Sequence, residues 1–231
     1  MKPTLKKLLN EETSKIWDYV KSRCEIKIVP DYDYSVNIIE NNNNKAVATI
    51  WIDSENQRPD YFVHELLHIK NYCDGFLISK LIDKYFWDYR TVSINWDRQF
   101  RNLIGNIIEH EKMFPKYLEL GFEENEFVGD FHERKCSIDE ITYEMKICSH
   151  PSIYSYKYIT AKFFLIKGTL DSTINYEIEE KELYNLAPNL YKTLDSFWNS
   201  ILNLEPPYNK LNQEILVKNF LQEMENVYSK I

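Results

Sequence analysis

Tyr61-Phe62-Val63-His64-Glu65-Leu66-Leu67-His68-Ile69-Lys70 is the stretch on which the reading of this chain turns. Residues four apart on a helix lie one above the other on the same face. His64 and His68 can therefore offer two imidazole nitrogens to one ion, with Glu65 beside them. In that place a carboxylate can serve as a general base while its neighbours hold a metal. Pro59 suits the first helical position, Asp60 the positive N-terminal end, and Gly75 a C-terminal stop. Phe62, Val63, Leu66, Leu67 and Ile69 make the segment apolar on nearly every side, which predicts a buried central helix. The plain alternative is a core helix on which two histidines are simply packed.

Upstream of it, residues 10–22 read as a helix, with Ile16, Trp17 and Val20 at helical spacing and Glu11 and Glu12 near its start. The period then drops to two. Ile26 and Ile28, then Val36 and Ile38, then Val47, Thr49 and Trp51 predict three short strands, the last two a hairpin around a loop at Asn41 to Asn44. The run Ala46, Val47, Ala48, Thr49, Ile50, Trp51 and Ile52 is the candidate for a sheet edge that holds an extended peptide by main-chain pairing.

Downstream, residues 76–89 read as an apolar core helix, 91–94 as a connector, and 96–114 as a helix begun by Asn95, which Pro115 breaks or restarts and Gly121 ends. This last helix should carry a third ligand. Glu109, His110 and Glu111 point in three different directions, so one alone can face a metal. Glu109 shares a polar and small stripe with Asn102, Gly105 and Asn106. There Gly105 would let two helices approach closely and Asn106 could hydrogen-bond a ligand. Glu109 is the preferred metal ligand, and His110, on a face with Leu103, Ile107 and Phe114, is the alternative.

The stretch YFVHELLHIK resembles the active-site helix of the zincin metallopeptidases. Ile69-Lys70-Asn71-Tyr72 lacks the Gly and His that a metzincin carries next, so the resemblance is to a gluzincin, whose third ligand is a Glu on a later helix. Lys70 stands where that pattern prefers an apolar residue, and an extra helix lengthens the separation between His68 and Glu109. The resemblance covers roughly residues 11–120 and implies zinc, one ion per chain, held by His64, His68 and Glu109.

From Ser137 the pattern is helical throughout: a capping box at Ser137-Ile138-Asp139-Glu140, then helices near 153–167, 178–186, 190–202 and from 208 onward. The expected fold is α+β, mainly α. It comprises a zincin-like core with a small three-stranded antiparallel or mixed sheet over residues 1–134, and a helical extension over 135–231, packed on the core or forming a single domain with it.

The chain has 231 residues, 44% of them hydrophobic and 15% aromatic, as a folded protein does. Its net charge of −8 argues against a general nucleic-acid or anionic-membrane binder. The basic cluster Lys2, Lys6 and Lys7 reads as a solvated helix face. The N-terminal stretch has no secretory-signal core, and no apolar run approaches the roughly 20 residues of a membrane span. Cys24, Cys73, Cys136 and Cys148 have no C-x-x-C spacing and read as reduced thiols of a cytoplasmic protein.

The function these readings imply is zinc-dependent hydrolysis of peptide bonds through a zinc-bound water, with Glu65 as general base and a peptide or protein as substrate. His110, His132, Tyr117 and Tyr143 are candidate donors to the oxyanion, and spacing selects none. Two alternatives are a non-catalytic, zinc-stabilised interaction protein and a zinc hydrolase acting on a small amide. No spacing identifies a substrate sequence or an oligomeric state.

Overall fold

The computed structural model describes residues 7–40 and 45–231. Lys2, Lys6 and the Asn41 to Asn44 loop lie outside the described residues. The fold is α+β and mainly α, with one three-stranded mixed sheet. It divides into two compact units, one of residues up to Phe76 plus Lys112–Phe131, the other of Leu77–Glu111 plus His132–Ile231.

In the first unit, α1 (Glu11–Arg23) starts at Asn10, whose side chain accepts from the Thr13 backbone N–H while the Thr13 hydroxyl receives the Asn10 N–H. This capping box replaces two bonds that a helix start otherwise lacks. Three strands follow, β1 (Glu25–Asp31), β2 (Ser35–Ile39) and β3 (Val47–Asp53). Their order is β1-β3-β2, with β3 parallel to β1 and antiparallel to β2.

This order corrects the expected peptide-holding edge. Val47 to Trp51 lie in the central strand, paired on both sides, Ile52 is paired with β1, and the Ala46 carbonyl already accepts from the Glu25 N–H. Main-chain groups used in both ladders cannot receive a further strand. The edges are β1 and β2. The side chains of Ala48, Ile50 and Ile52 alternate into the core, and α2 (Pro59–Cys73) packs against β2 and β3. Every residue of α2 from Phe62 to Ile69 is buried, as its apolar surroundings predict.

The second unit is helical. Its elements are α3 (Ile78–Tyr85), a 3-10 turn at Phe86–Asp88, α4 (Arg90–Asn95), the first part of α5 (Arg98–Glu119), and then α6 (Ile138–Ile147), α7 (Ile153–Lys167), α8 (Glu177–Leu186), α9 (Pro188–Leu202) and α10 (Lys210–Tyr228). Residues 91–94, expected as a connector, are helical. The Glu225 carboxylate on α10 accepts from the Thr91 and Val92 backbone N–H groups and the Thr91 hydroxyl, capping α4 from a distant part of the chain.

Helix α5 begins with Asp97 as its cap, accepting from the Phe100 N–H, rather than with Asn95. It also runs through Pro115, where a break or restart was expected, and stops just before Gly121, the expected end, whose φ is +84°. Proline removes one helical donor and crowds the preceding turn. Met113 and Tyr117, buried on either side of it, hold the helix in register. The unit boundary therefore falls inside one continuous helix.

Candidate metal centre

His64 and His68 follow from the periodicity of α2, and their rings lie 5.1 Å apart centre to centre. His64 is buried, its ring 4.6 Å from that of Phe127 and hydrogen-bonded to the Phe127 backbone. Burial, and secondarily the neighbouring His68, push its pKa down to about 3. The ring is therefore neutral near pH 7, the form that ligates a metal. A bond from one imidazole N–H to a backbone carbonyl also fixes the tautomer, so that the other nitrogen carries the lone pair.

Phe127 packs in turn against Phe114, at 5.2 Å, and Phe114 against Phe131, at 6.0 Å. Phe114 lies one turn along α5 from His110. One ligand atom from each of His64, His68 and His110 lies within 4.8 Å of the others, the sole group of this kind among the described residues. Zinc–nitrogen bonds of about 2.0–2.1 Å in a tetrahedron place the nitrogens roughly 3.3 Å apart. The group could hold a metal ion once its ligand atoms close that gap.

Glu109 is not in this group. Its carboxylate accepts from the Ser79 hydroxyl of α3, and a Cβ built on Gly105, one turn earlier, would stand 2.7 Å from the Ser79 Cβ. The small and polar stripe of α5 thus includes the face on which α5 meets α3. Gly105 permits that close approach. Asn106 is exposed, away from the role of ligand support expected of it. His110, on the neighbouring apolar face, is the residue that joins the two histidines of α2.

Glu65, the residue after His64 in α2, is buried at 9% exposure. The other candidates have distinct surroundings. Tyr117 is fully buried, stacked on Phe122, and its hydroxyl has no hydrogen-bond partner among the described residues. Burial first, then the Asp60 charge, raises its pKa and keeps it protonated. Tyr143 projects into solvent from α6. His132 is 67% exposed, and its Nδ1 lies 2.8 Å from Oδ2 of the buried Asp171.

Two contributors had no local signal in the sequence. Phe127 lies far along the chain from His64, in a loop, and Asp171 is likewise distant in sequence from His132. No family model, curated protein or solved structure matches the chain. No helix among the described residues is long and apolar enough to cross a membrane.

Proposed function

We propose that His64, His68 and His110 hold one zinc ion and that the chain hydrolyses peptide bonds, with Glu65 as the general base. The observation that carries the reading is that one ligand atom from each of three imidazoles lies within 4.8 Å of the others, with Glu65 the residue after His64. Three protein ligands leave a tetrahedral ion one open position, as catalytic rather than structural zinc sites do. This three-histidine set differs from the gluzincin pattern at the third ligand, where His110 replaces Glu109.

A bound zinc supplies Lewis acidity to a water and a substrate carbonyl. The Glu65 carboxylate takes a proton from the attacking water and passes it to the leaving amine nitrogen. Of the candidate donors to the developing oxyanion, His132 is the exposed one whose ring is held in one direction by a carboxylate, that of Asp171, and we assign it that role. A peptide substrate is favoured over a small amide because β2, an edge strand with one ladder, lies against α2. Such an edge can pair with an extended chain.

The test is zinc per chain in protein purified without added metal, followed by turnover of an unfolded protein and of short peptides. About one zinc, lost in His68→Ala and in His110→Ala, supports the site. Peptide turnover that Glu65→Gln abolishes while retaining zinc supports the mechanism. Absence of metal even after zinc is offered overturns both. Zinc without turnover of either substrate leaves the non-catalytic alternative.

A further inference from the structure

Apart from the histidines of α2, the first unit contains a close pair of thiols. The Cys24 and Cys73 sulfurs lie 3.4 Å apart, and both are free thiols. Cys24 is the residue that ends α1 and leads into β1, and Cys73 is the last residue of α2. These ends are already held together. The Tyr19 hydroxyl donates to Asp74 Oδ1 at 2.5 Å, and the Trp17 and Phe62 rings of α1 and α2 lie 6.0 Å apart. A disulfide needs about 2.0 Å between sulfurs, so roughly 1.4 Å must close.

We propose that Cys24 and Cys73 are a dithiol that a low-molecular-weight disulfide converts into an intramolecular disulfide, clamping the C-terminal end of α2 to the α1–β1 junction. Cys24 is buried and Cys73 half-buried, which sets the order of events. The Cys73 thiolate attacks the added disulfide, forming a mixed disulfide and releasing one small thiol. The Cys24 thiolate then attacks the Cys73 sulfur and releases the second. Two protein thiols are oxidised, one small disulfide is reduced to two thiols, and the two protein protons end on them. Burial, with the adjacent Cys24, pushes the Cys73 thiol up to about 12, so exchange is slow at neutral pH and faster under mildly alkaline conditions.

The clamp holds the helix that carries His64 and His68, yet it does not depend on a metal. Its loop of roughly 50 residues removes considerable freedom from the unfolded chain and should raise Tm by about 5–10 °C.

The experiment is incubation of the full chain with oxidised glutathione at mildly alkaline pH, after removal of metal with a chelator. Peptide mapping and thermal unfolding then report the product. The expected result is a peptide linking Cys24 to Cys73, two hydrogens lost from the intact mass, and a raised Tm that a reductant reverses. Cys136→Ser with Cys148→Ser should retain all three, and Cys24→Ser should stop at the mixed disulfide on Cys73. The proposal is overturned if glutathione stays attached in the wild-type chain, if Cys73 links to another cysteine, or if the link forms without raising Tm.

Discussion

His64 and His132 each have a hydrogen-bond partner, and the partners are opposite in kind. His64 is buried against Phe127 and bonds an uncharged backbone group, so burial dominates and lowers its affinity for protons. His132 is exposed and bonds the carboxylate of Asp171, which is itself buried at 7% exposure. The first environment produces a neutral nitrogen with a fixed lone pair, suited to a metal. The second fixes the direction of a ring that solvent can reach. The same side chain is thus left in two different states by what surrounds it, and substitutions should separate them.

The largest separation is expected at Glu65, which belongs to the first environment without being a ligand. Glu65→Gln should lower peptide turnover by up to about 10⁴-fold with zinc content unchanged, measured as initial rates beside metal analysis. Next comes the ligand set. His110→Ala should weaken zinc binding by more than about 100-fold, since even loss of a supporting partner costs 10- to 100-fold. Glu109→Ala should leave zinc affinity unchanged, because its carboxylate is bound to Ser79. Competition with a chromophoric chelator measures both. The reverse result would return Glu109 to the metal and dissolve the three-histidine site.

These substitutions also mark where sequence was informative. Helix α2 could be read locally because motif, spacing and apolar surroundings fall within one segment, and its burial follows directly. The three strands were legible from their alternation, but the edge was not. The regular alternation of β3 reports one buried face, whereas its two neighbours are set by chain topology. Helix α5 was legible as a helix, but its three candidate ligands were not separable. A stripe of Gly105 and Glu109 suits close contact with any helix, and only packing shows that the helix is α3 through Ser79. Thr91 and Val92 hid a short helix because its cap comes from Glu225, far along the chain.

In the second environment, His132→Ala should leave zinc content intact and lower kcat by about 100-fold, the scale of losing one oxyanion donor. Its KM should change little. A loss of zinc instead would place His132 among the ligands and erase the contrast with His64.

The smallest effects are expected at Asp171, which in the proposed mechanism would act through His132. Asp171→Asn keeps a hydrogen-bonding group but not the charge, and should lower kcat by about tenfold. Its sharper signature is in stability. The Thr173 hydroxyl first, then His132, hold the Asp171 carboxyl down to about 2 from an ordinary 3.8. A carboxyl with a depressed pKa stabilises the fold above its unfolded value, and that contribution fades as pH falls from 3.8 toward 2. Urea midpoints of the wild-type chain should therefore fall more steeply than those of Asp171→Asn in that acid range, and run parallel to them above it. His132→Ala should retain most of the wild-type acid slope, because Thr173 still donates to the carboxylate through its hydroxyl and its backbone N–H. Parallel slopes for Asp171→Asn and wild type would mean that the carboxylate gains nothing in the folded chain. The orientation of His132 would then need another source.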